Sequence, residues 1–88
     1  MVRARKPAKS LRSAEHRALC GLLFAARRKA GLNQAEVAER LGKPQSFVAK
    51  YEGGERRLDV VEFLAVSAAI GADPGRILRD LMKSRPKA

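Results

Sequence analysis

Gln45 and Ser46 stand side by side at the start of a short helical pattern, and both side chains donate and accept hydrogen bonds. An amide offers donor and acceptor together, the combination that matches the N6/N7 edge of adenine in the major groove, and a hydroxyl reaches either a base or a phosphate. Lys50, one turn beyond Ser46, adds a cation suited to guanine or the sugar–phosphate backbone, or left simply in solvent. A second pair has reactive chemistry: His16 and Cys20 are four apart on one helical face, the spacing of a nucleophile pair or half a metal site. One His and one Cys do not complete a structural zinc site, and neither paired carboxylates nor a Gly-rich phosphate loop accompanies them. The chain is therefore not read as an enzyme, and no metal, cofactor or small-molecule ligand is expected. His16 is more simply helix surface and Cys20 a small buried hydrophobe.

The elements that must position Gln45 and Ser46 lie in Gly31–Glu55, GLNQAEVAERLGKPQSFVAKYEGGE. Two short helical patterns flank a Gly-containing turn, the sequence form of a helix-turn-helix, in which the second helix enters the major groove. Asn33 and Glu36 make a box-like cap for the first of these helices, with Val37, Ala38 and Leu41 facing inward and Gly42 as the left-handed exit. Lys43-Pro44 opens the second, over about 44–52, with Pro44 at the first helical position and Val48 and Tyr51 inward.

Outside that core motif, Ser13 and Glu15 start a first helix whose apolar face is Leu19, Leu22, Leu23, Ala26 and Ala30, ended by Gly31. Asp59 and Glu62 start a fourth with Val61, Leu64, Ala65 and Ala68 as its face, and Phe63, Val66 and Ile70 adding apolar surface around it. Asp73-Pro74 begins a fifth through about Met82, with Ile77, Leu78, Leu81 and Met82 on its apolar side. No strand pattern or internal repeat is present. The fold class is all-α, a five-helix bundle: a basic arm over 1–12, a domain over 13–82 and a basic tail over 83–88.

The formal net charge of +10 in 88 residues suits a polyanionic partner. Residues 1–14 carry Arg3, Arg5, Lys6, Lys9 and Arg12 with no acid, and residues 83–88 carry Lys83, Arg85 and Lys87. The folded part is thus nearly balanced, and the excess on the ends strengthens phosphate contact without specifying sequence. No Trp is present, with three Phe and one Tyr, which argues against an aromatic platform for single strands. A single cysteine forbids an internal disulfide, and neither a signal-peptide core nor a membrane span is found, so a cytoplasmic protein is expected.

The sequence resembles the phage-repressor helix-turn-helix family, the Cro/cI-like or XRE-type DNA-binding domains. The resemblance is carried by Leu-Asn-Gln-Ala-Glu-Val-Ala (32–38), Leu41-Gly42, Gln45-Ser46 and Tyr51-Glu52-Gly53-Gly54-Glu55-Arg56-Arg57, and covers roughly residues 17–80. It implies a lambda-repressor-like bundle. It also implies a phosphate contact and a brace for the recognition helix at Gln34, where helix N-terminal N–H groups independently favour an anion. Arg56 and Arg57 would follow the DNA backbone, with Asn33 and Lys43 as weaker phosphate ligands, while Gln45, Ser46, Phe47 and Lys50 face the bases. Arg27 and Glu52 occupy positions where several members form a buried ion pair. Phe47 stands where the family favours small or polar residues, and either presses on a thymine methyl or packs beneath the turn. Phe24 departs too, as a protein contact or a peripheral core aromatic. Pro44 replaces a capping hydroxyl.

These features together imply a double-stranded DNA-binding transcription regulator, a repressor acting as a homodimer on a palindromic operator, paired through the fifth helix. The alternative is an antitoxin-type module that neutralises a protein partner and represses its own promoter.

Overall fold

The computed structural model describes residues 13–84. They form five helices: α1 (Ala14–Lys29), α2 (Gln34–Leu41), α3 (Gln45–Glu52), α4 (Val60–Ile70) and α5 (Pro74–Lys83), with no strand among the described residues. The basic arm over 1–12 and the tail residues 85–88 lie outside the described residues; Lys83 belongs to α5 and Ser84 caps it.

Four helices begin on side-chain caps. The Ser13 hydroxyl accepts from His16 N–H at 3.0 Å. Asn33–Glu36 and Asp59–Glu62 each close a reciprocal box, both bonds 2.8 Å in the first and 2.7 and 3.0 Å in the second. Asp73 takes Gly75 N–H at 2.9 Å ahead of Pro74 in the first helical turn. Such caps satisfy orphan donors and are worth about 1 kcal/mol each. α3 is the exception. Pro44 is its N-cap in extended conformation (ψ 155°) and not its first helical residue, so the helix starts one residue later than expected. Between α2 and α3, Gly42 adopts φ 67°, a left-handed position where a Cβ would meet no neighbour. Glycine is favoured there by backbone conformation alone.

α1 packs on α3, α4 and α5, and α2 on α3 and α4. The core is Leu23, Val37, Ala38, Val48, Tyr51, Phe63, Val66, Ala69, Ile70 and Ile77. Burying a Val or Leu side chain fully contributes about 1.5–3 kcal/mol, so Leu23, Val37, Val48 and Val66 are central to stability in so small a domain.

Three inward assignments differ from the sequence expectation. On α4 the buried stripe is Phe63, Val66, Ser67, Ala69 and Ile70, while Val61 (76% exposed), Leu64, Ala65 and Ala68 face outward. The buried side includes a serine, whose hydroxyl is satisfied by Phe63 C=O at 2.9 Å. On α1 the buried line is His16, Cys20, Leu23 and Arg27; Leu19, Leu22 and Ala26 are half-buried and Ala30 is exposed. His16 is thus not surface. Phe24 is 42% exposed, not a core aromatic, with the Arg27 and Arg28 guanidiniums over its ring at 5.2 and 5.7 Å. On α5, Ile77 belongs to the core, Leu81 is half-buried, and Leu78 and Met82 are exposed. Among the described residues no helix is long and apolar enough to cross a membrane.

Candidate nucleic-acid interface

α3 turns two faces in opposite directions because Val48 and Tyr51, three apart, are both fully buried. Gln45, Ser46, Ala49 and Lys50 are left exposed along the other side. Ala49 was missed in the sequence, although its position four after Gln45 places it on the same face; a methyl there lets a second surface approach closely.

Beneath this line lies a polar chain. Arg27 donates Nε to Glu52 Oε2 at 2.7 Å and Nη2 to Oε1 at 3.0 Å, with side chains only 8% and 4% exposed. Its Nη1 donates to Leu32 C=O at 2.9 Å, so one guanidinium ties α1 to the end of α3 and to the chain entering α2. The carboxylate raises the Arg27 pKa above its ordinary value, holding it charged. Gln34 Nε2 donates to the same Glu52 Oε1 at 3.0 Å, and Gln34 Oε1 accepts from Gln45 Nε2 at 3.4 Å. The Gln45 amide, exposed, thereby reaches through Gln34 and Glu52 toward a buried ion pair, and this contact uses one of its two N–H donors. Gln34 sits in the first turn of α2, half-buried. Asn33 is exposed but has committed its side-chain oxygen to the α2 cap, leaving its NH₂ for an anion.

A second cluster surrounds Phe47. Its half-buried ring meets Tyr51 edge-on, with centroids 5.7 Å apart and planes at 74°. Over the ring lie Lys43 Nζ at 5.5 Å and the Arg56 guanidinium at 4.7 Å. Arg56 also grips Glu62 through two bonds of 3.0 and 2.7 Å and donates to Arg57 C=O at 2.9 Å. The Glu62 role was not read from the sequence beyond its cap. Arg56 and the Asp59 N–H hold its carboxyl down to about 2, so it is charged at neutral pH. Lys43 and the Arg57 side chain are exposed.

Two buried groups support the loop after α3. His16 Nε2 lies 3.3 Å from Gly54 C=O and 3.8 Å from Cys20 Sγ. Burial pushes the Cys20 thiol up, keeping it an uncharged packing residue. Among the described residues no group of three metal-ligating side chains forms around this pair. Among the described residues the buried Tyr51 hydroxyl has no hydrogen-bond partner, and desolvation raises its pKa, so it stays neutral.

A helix-turn-helix family model matches residues 23–77, from the middle of α1 into α5. An XRE-family like protein from Pseudomonas syringae pv. tomato str. DC3000 is 46% identical over 93% of this chain and 100% of that one, with a TM-score of 0.80. The clp gene regulator ClgR from C. glutamicum shares the fold at 21% identity, over 86% of this chain and 99% of that one, with a TM-score of 0.76. The restriction-modification controller protein C.AhdI from Aeromonas hydrophila is 26% identical over 74% of this chain and 98% of that one, with a TM-score of 0.68. No curated protein matches this sequence. With the two helices, their three-residue turn and the outward α3 face all within the matched span, the chain belongs to the XRE-type helix-turn-helix family of DNA-binding transcription regulators.

Proposed function

We propose that the chain is a sequence-specific repressor that lays α3 in the major groove and acts as a homodimer on a palindromic operator, in the cytoplasm or nucleoid. The observation that carries this reading is the outward line of Gln45, Ser46, Ala49 and Lys50 on a helix fixed from below by Val48, Tyr51 and the Glu52 ion pair. A side chain that reads a base gains from being positioned beforehand, and the leading amide stands within 3.4 Å of Gln34 on a helix that is itself fixed. Gln45 is the leading base reader, with Ser46 and Lys50 beside it. Gln34, Asn33, Lys43, Arg56 and Arg57 flank the groove as phosphate ligands. A single module of this size contacts few base pairs, and two-fold pairing supplies the missing specificity.

Selection of bound duplexes from a random DNA pool at near-physiological salt tests the reading. An enriched palindrome is expected, and Gln45→Ala should weaken it by ~1–3 kcal/mol while blunting preference at one base position of each half-site. Salt-sensitive binding with no enriched sequence would remove the sequence-specific reading.

A further inference from the structure

We propose that Phe47 is a positioning residue of the DNA interface, its ring holding Lys43 and Arg56 as a fixed pair of cations around the first turn of the recognition helix. The proposal rests on the DNA-binding reading and adds to it a residue that sets affinity without reading a base.

The ring is itself held. It stands edge-on to Tyr51, which is 1% exposed and sits in the core. Lys43 belongs to the turn before α3 and Arg56 to the loop after it, yet both reach this one ring, at 5.5 and 4.7 Å. Two cations that share one ring are like charges, and nearby negative charge offsets their repulsion. The electron-rich face of the ring supplies part of it. Glu62 supplies the rest, bonded twice to Arg56 and near enough to Lys43 to feel its charge. Arg56 uses three of its five N–H donors on Glu62 and Arg57 C=O, so two are left for an anion.

Long cationic side chains lose rotamer freedom when they bind a phosphate. A pair already ordered on a ring loses less, and gains affinity for any duplex, since phosphates carry no sequence. This also accounts for an aromatic where a groove-facing polar residue would be expected: the ring is used sideways, toward the two flanking segments, and not downward toward the bases.

The test uses the full chain with Phe47→Leu, which fills similar space without a π face, and Phe47→Tyr, which restores the face. In the free protein, the Arg56 side-chain N–H signals in NMR should be displaced by the ring current, return to ordinary arginine positions in Phe47→Leu, and remain displaced in Phe47→Tyr. Affinity for the selected operator and for an unrelated duplex should fall together by about fivefold in Phe47→Leu, with base preferences unchanged and Phe47→Tyr close to wild type. Should leucine fail to fold, Phe47→Met serves as the second ring-free variant. A loss confined to the operator, with preference blunted at an A·T position, would overturn the proposal in favour of a thymine-methyl contact. Equal affinities of ring-free variant and wild type would overturn it as well. Wild type that binds no duplex would overturn the DNA reading itself, which is a different failure from either.

Discussion

Glu52 gathers three N–H donors on one carboxylate: two from Arg27 and one from Gln34. A buried ion pair is not by itself a stabilising device, because desolvating two charges offsets most of their attraction. Removing one partner is another matter, since the other charge is then stranded. Glu52→Gln should therefore cost about 3 kcal/mol, at the lower end for such a loss because Leu32 C=O still accepts from Arg27. Urea unfolding measures it, and a loss under ~1 kcal/mol would mean that water reaches Arg27. That Arg27 and Glu52 occupy the family's ion-pair positions was legible in the sequence; that Gln34 joins Glu52 was not. The two residues are eighteen apart, and only the packing of α2 on α3 brings them to hydrogen-bond distance. Phe47 was ambiguous for a similar reason. Its spacing places it at the margin between the buried and exposed sides of α3, and the cations over its ring come from segments on either side of the helix.

At the scale of elements, the first turn of α4 is a junction as well as a cap. Glu62 closes the box with Asp59 and holds Arg56, fastening the loop after α3 to α4. Its carboxyl lies at about 2, against an ordinary value of 4.5, first because of Arg56 and then because of the Asp59 N–H. A depressed carboxylate stabilises the fold fully above its unfolded value, and that contribution is lost as pH falls from about 4.5 toward 2. The gap between the melting curves of wild type and Glu62→Gln, small because the pair is partly exposed to solvent, should accordingly be largest near pH 6 and close between pH 4.5 and 2.5. A separation that does not shrink there would mean the carboxylate's charge is not what Arg56 requires. The α4 boundaries and cap were readable because Asp-x-x-Glu and Gly71 are local signals. Its buried side was not. Residues 61, 64, 65 and 68 and residues 63, 66, 67 and 70 have the same helical spacing, and periodicity cannot choose between two apolar stripes. The larger Phe63 and Ile70 went inward, and a hydroxyl that bonds back to its own helix removed the cost of burying Ser67.

For the whole molecule, the question is where a second copy would sit. An isologous dimer uses the same patch on both chains and has to be built from side chains the core leaves over. Ile77 is already buried and Leu81 half-buried, which leaves Leu78 and Met82 as the exposed apolar residues of α5, 45% and 64% exposed and one turn apart on the same helix face. The outward stripe of α4, with Val61 and Leu64, is the competing surface. If α5 is the dimer contact, Leu78→Glu combined with Met82→Glu should sediment as a monomer at concentrations where wild type is a dimer. The variant should also lose affinity for a full palindrome while keeping wild-type affinity for a single half-site, because α3 and its supports are untouched. Val61→Glu should leave both measurements as they are. The reverse pattern, with Val61→Glu alone abolishing the dimer, would move the two-fold axis to α4 and change the half-site spacing, since that spacing follows from how the two recognition helices are held apart.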